Sequence, residues 1–152
     1  MFRNVIIGVD GRSGGRDAIA LARQLADPEA TITLANVYLS AVPLVPSLLA
    51  WDEIERDKSA ALLEAERERA NLEVEVSTVC AASAGEGLHR LAEERGADLL
   101  VLGSSSRSLL GRVLLGDDAR ASLNGAPCAV ALAPRGHAEK AVALEHIGVG
   151  FD

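Results

Sequence analysis

Apolar positions along the chain alternate between two patterns, unbroken runs of four or five residues and stripes spaced three and four apart. Val5-Ile6-Ile7-Gly8-Val9 is an unbroken β-branched run, as expected of a strand covered on both faces, and Asp10-Gly11 ends it. Ala18, Ile19, Leu21, Ala22 and Leu25 then share one helical face, which predicts a helix from about Gly15 to Ala26 with Ser13 as its N-cap and Asp27-Pro28 as its stop. Thr31 to Val37 reads as a second strand, and Ala41-Val42-Pro43-Leu44-Val45-Pro46 as irregular, because two prolines break ladder and helix alike. From Trp51 to about Ala70 the spacing is helical, with Glu64, Glu66, Arg67, Glu68 and Arg69 forming a solvated face. Val74, Val76 and Val79 predict a third strand, Ala84 to Arg95 a third helix, and Leu99 to Leu102 a fourth strand after the turn Gly96-Ala97-Asp98. A fourth helix from about Asp117 to Asn124 precedes a fifth strand at Cys128 to Ala133.

Strands alternating with helices imply an α/β fold in three layers, a parallel sheet with helices on both faces and right-handed crossovers. Such sheets bind ligands beyond the strand C-termini, where strand order reverses. Asp10 and Gly103 both end strands, so if strands one and four are neighbours their loops face each other across one crevice. The 152 residues, 49% of them hydrophobic, suit one domain, here placed at 1–140. Residues 141–152 read as a linker and the start of a second repeat, because Gly148-Val149-Gly150-Phe151-Asp152 echoes Ile6-Ile7-Gly8-Val9-Asp10.

Charge narrows the partners. With 22 acidic and 15 basic residues the formal charge is −7, so the long-range field repels nucleic acid and anionic lipid surfaces. All the basic residues except Lys58 and Lys140 are arginines, which favours a surface of planar, bidentate ion pairs. The N-terminus enters a strand at once, and no apolar run approaches the ~20 residues that span a bilayer, so a soluble cytoplasmic protein is expected. Cys80 and Cys128 lack the close spacing of a metal or redox pair and read as buried free thiols. His89, His137 and His146 read as surface residues, with no nucleophile or ligand cluster beside them in sequence, so neither a catalytic nor a metal site is assigned.

The stretch with most chemistry is Val101-Leu102-Gly103-Ser104-Ser105-Ser106-Arg107, followed by Gly116-Asp117. A buried strand here runs into a small-residue loop and a helix start, where backbone N–H groups converge on an anion. A nucleotide is the first ligand to consider. Ser13-Gly14-Gly15-Arg16-Asp17 is similar to the start of the pyrophosphatase loop of ATP-cleaving synthetases, but Ala18 replaces its final serine and the chain lacks the length for a substrate domain.

Over nearly its whole length the chain resembles the universal stress protein family. The resemblance rests on Val5 to Gly11, on Asn36-Val37, on Ala97 to Gly103, on Leu109 to Gly116 and on Ala126-Pro127-Cys128-Ala129-Val130. It implies a Rossmann-type, adenine nucleotide alpha hydrolase-like sandwich whose five parallel strands run in the order 3-2-1-4-5. It also implies pairing through the last strand, as a homodimer or with a second repeat, and in one subgroup ATP held between the first and fourth strand ends. That subgroup carries glycine, two residues, glycine, nine residues, then glycine and serine or threonine. Here the pattern falls on Gly103, Ser106, Gly116 and Asp117, so two positions match and two depart. Asp10 matches a residue that contacts adenine in the family, and Val37 one whose backbone does the same. Asp10 also reads as the cap of the turn at Gly11, and the two roles are compatible.

The departures have a size. Ser106 adds a Cβ but brings a hydroxyl that can donate to phosphate. A carboxylate at Asp117 about 4 Å from a phosphate charge costs roughly 1 kcal/mol in water and about 4 at the effective dielectric of a protein surface. Asp117 also reads as the N-cap of the fourth helix, an anion supplied by the protein in place of a phosphate. Arg107 and Arg112 serve either as phosphate partners or as partners of Asp117 and Asp118. The candidate nucleotide-binding residues are therefore Asp10, Gly11, Val37, Gly103, Ser106, Arg107, Gly116, Asp117 and Asp118. Two functions follow: a stress-response module that takes ATP, ADP or AMP with weakened ATP binding, or a nucleotide-free dimerising interaction module. An ATP-cleaving enzyme is a minor third.

Overall fold

Eight regular elements appear in the computed structural model, which describes residues 1–39, 49–71, 73–104, 124–140, 144–145 and 148–149. They are β1 (Phe2–Gly8), α1 (Ser13–Leu25), β2 (Ala26–Leu39), α2 (Leu49–Ala70), β3 (Glu75–Ala81), α3 (Ala84–Arg95), β4 (Leu99–Gly103) and β5 (Ala129–Ala133). The strands form one sheet in the order β3-β2-β1-β4-β5, every neighbouring pair parallel. The α/β architecture expected from the sequence pattern and the strand order implied by the family resemblance are both present.

Strand side chains alternate between two cores. Val5, Ile7, Val9, Leu34, Leu99, Val101 and Ala133 pack on one face against Ala18, Ile19, Leu21 and Ala22 of α1 and Leu63 of α2. Ile6, Ala35, Val79, Leu100 and Leu102 pack on the other against Leu88, Leu91 and Ala92 of α3. Helices α1 and α2 connect strands stepping one way along the sheet and α3 connects strands stepping back, so placing α3 on the opposite face keeps one crossover hand throughout. Reversal of direction between β1 and β4 is the switch point.

Several boundaries differ from the sequence reading, each for a local reason. Helix α1 begins at Ser13 and its N-cap is Arg12, whose side chain makes no cap bond, so Ser13 is inside the helix and does not cap it. Asp27-Pro28 does end α1, but it lies within the long β2, where the register jumps from Phe2↔Ala26 to Asn4↔Thr31. That irregularity accommodates a proline without an N–H, and Asp27 Oδ1 accepts the amide of Glu29 at 3.1 Å. Helix α2 starts two residues earlier than expected, Val74 precedes β3, and Cys128 precedes β5. Glu66, read as part of a solvated face, is buried, with Arg69 Nη1 at 2.6 Å and Arg16 Nη1 at 3.9 Å from its Oε1. Residues 117–123, most of the expected fourth helix, lie outside the described residues, as does most of the expected second repeat at 141–152.

Core packing sets the stability. Leu100 is fully buried in β4, an interior strand of the sheet, so Leu100→Ala should cost about 2–5 kcal/mol. Glu94→Ala, at an exposed pair with Arg90, should stay within about 0.5 kcal/mol. Urea unfolding read at the midpoint checks both, with the slope unchanged.

Candidate functional site

The C-terminal ends of β1, β2 and β4 meet at one place, and short-range chemistry explains how. Beyond β1 the chain is tied to β2 by Val9 N–H donating to Ala35 O at 2.9 Å and by Asn36 Nδ2 donating to Val9 O at 2.7 Å. Asp10 Oδ1 then accepts the amide of Arg12 at 3.0 Å, so the turn role anticipated for Asp10 is real. The Arg12 guanidinium lies 3.8 Å from Asp10 Oδ2, with both side chains exposed, and such a pair contributes little. Gly11 sits at φ +75, a conformation that L side chains rarely adopt, with Leu62 of α2 directly beside it. The turn delivers the chain into α1, whose first turn carries no acidic residue and no side-chain cap. The helix dipole leaves that end electropositive.

The strand register brings Gly103 to this turn. Val5 pairs with Leu99 and Ile7 with Val101, so two residues on, Gly103 stands beside Val9. A Cβ on Gly103 would fall 2.0 Å from the carbonyl oxygen of Gly14, and one on Gly14 would fall 3.0 Å from the carbonyl oxygen of Ser104. Two backbones are in direct contact here, which is why Gly103 accepts no side chain. The pairing of Gly8 with Ala35 likewise brings Val37 beside Asp10. The Val37 side chain packs on α3 near Gly87, so its backbone is the part left for the crevice.

Asp10, Gly11, Val37 and Gly103 are thus brought together at three adjacent strand ends. Ser106, Arg107, Gly116, Asp117 and Asp118 lie outside the described residues. A shallow hollow bordered by Thr31, Arg67, Glu73 and Glu75 lies at the opposite end of the sheet. Among the described residues no group of three or more His, Cys, Asp or Glu side chains could hold a metal ion. No helix among them is long and apolar enough to cross a membrane.

One residue escaped the sequence reading. Asp17 is 2% exposed, and its two carboxylate oxygens accept the amides of Gly136 at 3.0 Å and Ala138 at 2.8 Å. In sequence it stood out only as the acidic member of Ser13-Gly14-Gly15-Arg16-Asp17. The serine and glycines of that motif form the first turn of a helix, and the aspartate is engaged by backbone. The thiols of Cys80 and Cys128 are free as expected but half-buried. His89 and His137 are half-buried too, and His146 lies outside the described residues. Burial, the Asp98 carboxylate nearby and, in the opposite sense, a hydrogen bond with the Leu100 backbone leave the Cys128 thiol above its ordinary pKa. Burial, with Cys80 and Asp52 beside it, also raises the Tyr38 phenol, and Arg56 partly offsets this.

The backbone contact at Gly103 makes Gly103→Ala a direct probe. Because the added methyl meets a carbonyl oxygen and not a flexible side chain, the variant should lose on the order of 3 kcal/mol in urea unfolding. Gly125→Ala, with open space around the new Cβ but φ +76, should lose only about 1 kcal/mol.

The model of the universal stress protein family matches residues 1–134. A search of curated proteins found no match. Among solved structures, a universal stress protein in complex with cAMP is 22% identical with a TM-score of 0.66, the match covering 88% of this chain and 98% of that one. The universal stress protein UspA from Lactobacillus plantarum is 19% identical with a TM-score of 0.62, over 86% of this chain and 97% of that one. A universal stress protein family protein from Arabidopsis thaliana with AMP bound is 14% identical with a TM-score of 0.55, over 88% of this chain and 92% of that one. At these identities the likeness is one of fold, while the family match extends over most of the sequence. The chain belongs to the universal stress protein family.

Proposed function

We propose that this domain is a cytoplasmic stress-response module that holds an adenine nucleotide in the crevice at the ends of β1, β2 and β4, and that it favours a nucleotide with few phosphates. The observation that carries the reading is the convergence of Asp10, the Val37 backbone and the side-chain-free Gly103 on one place. Asp10 Oδ1 holds the turn, while Oδ2, on an exposed side chain, faces the exposed Arg12 guanidinium at 3.8 Å, a weak pair that a ligand can displace. Two proteins of the same fold were crystallised with cAMP and with AMP, which supports an adenine nucleotide as the ligand class.

The phosphate end argues against ATP. Ser106 and Asp117 replace a glycine and a hydroxyl residue of the ATP-binding pattern, and Asp118 adds a second carboxylate. A triphosphate brings several negative charges to those carboxylates, whereas AMP brings one phosphate. Each close pair of like charges costs roughly 1 to 4 kcal/mol, which is about tenfold or more in affinity. Arg107 and Arg112 offset part of this for whichever phosphate reaches them. The reading assigns no catalytic residue, and the signal is occupancy.

A second reading has its own support. Strand β5 is a sheet edge whose Val130 and Leu132 are only half-buried, as expected of a strand that pairs with another chain or with a second repeat. In that reading the domain is an interaction module without nucleotide.

Calorimetric titration with AMP and with ATP plus magnesium separates the two. The expected result is AMP binding about tenfold tighter than ATP, with Asp117→Ser raising ATP affinity about tenfold. Absence of heat from AMP at millimolar concentration overturns the nucleotide reading, and unchanged ATP affinity in Asp117→Ser overturns the charge argument.

A further inference from the structure

Beyond β5 the chain forms a strap, residues 134–140, made of consecutive turns in which His137 donates to Pro134 O, Glu139 to Gly136 O and Lys140 to His137 O. No residue of the strap is buried: Gly136 and His137 are half-covered, and Pro134, Arg135, Ala138, Glu139 and Lys140 are exposed. Apolar packing therefore does little to hold it. What holds it is Asp17, a buried carboxylate that meets two strap amides, one on each oxygen, and no cation among the described residues. Hydrogen bonds to an ionised acceptor are about twice as strong as neutral ones, and burial strengthens them further.

The attachment closes a ring of contacts on the β5 side of Gly103, at one border of the crevice. Gly14, one turn before Asp17 on α1, touches the backbone of Gly103. The next residue, Ser104, donates its amide to Ala133 O at 3.0 Å, and Ala133 leads directly into the strap. The strap returns to α1 at Asp17. Every link but Asp17 is backbone, so the carboxylate is the one side chain that closes the ring.

We propose that Asp17 is a positioning residue of the crevice: by docking the strap on α1 it fixes where Gly103 and Ser104 stand relative to the first turn of that helix. The link from this position to nucleotide affinity rests on the reading above, whereas the positioning itself does not. Asp17→Asn is nearly isosteric but turns an amide N–H toward one of the strap donors, leaving one bond in two.

Hydrogen exchange followed by NMR tests the positioning without ligand. In Asp17→Asn the amides of Gly136 and Ala138 should exchange about tenfold faster. The Ser104 amide, which Asp17 does not touch, should exchange at least about threefold faster, while that of Asp98, bonded to Asn4 O at the far end of the sheet, keeps its rate. Ala138→Pro removes the second donor from the strap side and leaves α1 intact, so it should give the same Ser104 response and serves if Asp17→Asn does not fold. An unchanged Ser104 rate in a variant whose strap has opened overturns the proposal. Calorimetry then reads AMP affinity, expected to fall about tenfold in both variants. Wild-type affinity with an opened strap overturns the link to binding. If the wild type itself takes no AMP, the nucleotide reading fails and the exchange result alone decides the positioning.

Discussion

The contact of the Gly14 carbonyl with the α-carbon of Gly103 is the constraint on which the functional end of the molecule depends. It sits at the switch point of the sheet, where β1 and β4 run side by side and the chain leaves in opposite directions along the sheet. A parallel pair of strands places two loops next to each other at that point, but only residues without side chains let a helix start and a strand end touch. The glycines convert a topological coincidence into a floor made of backbone. The Asx turn at Asp10, the left-handed position at Gly11 and the tie from Asn36 to Val9 all serve to bring α1 to that floor in one orientation.

Electrostatics adds a second condition. The chain is acidic overall, with a formal charge of −7, so the field at long range discourages an anionic ligand. Close to the crevice the balance differs, because the first turn of α1 has neither acidic residue nor side-chain cap and presents amides. In the proposed reading such a place takes a ligand with modest charge and a large planar apolar part in preference to one carrying many phosphates. The chemistry of the proposed ligand thus follows from two opposing fields of different range, and salt screens the longer one first.

Much of this was legible in the sequence where local chemistry decides the outcome. Helix α3 was bounded correctly at both ends because Ser83 accepts the amide of Glu86 and Gly96 closes the last turn in the left-handed conformation, both short-range signals. Strands β1 and β4 were legible as unbroken apolar runs, since both of their faces are covered. The start of α1 was not, because Ser13 has the right chemistry for a cap but falls one residue inside the helix. Asp10 and Gly11 announced their turn, and Gly103 stood out as a strand end and a glycine of the ATP-binding pattern. What comes close to it, the carbonyl of Gly14, depends on how helix and strand pack and leaves no local signal. Asp17 is the extreme case: its partners are backbone amides 119 and 121 positions further along, and backbone amides have no residue signature.

The central claim is that a ligand seats on the backbone floor at the switch point and nowhere else on the described surface. A two-dimensional NMR titration of the labelled chain with AMP reads this residue by residue. The account predicts shifts in the amides of Asp10, Gly11, Val37, Gly103 and Ser104, with those of Thr31, Glu73 and Glu75 around the hollow at the other end of the sheet unmoved. Shifts centred on that hollow or along β5, or none up to millimolar AMP, would contradict it.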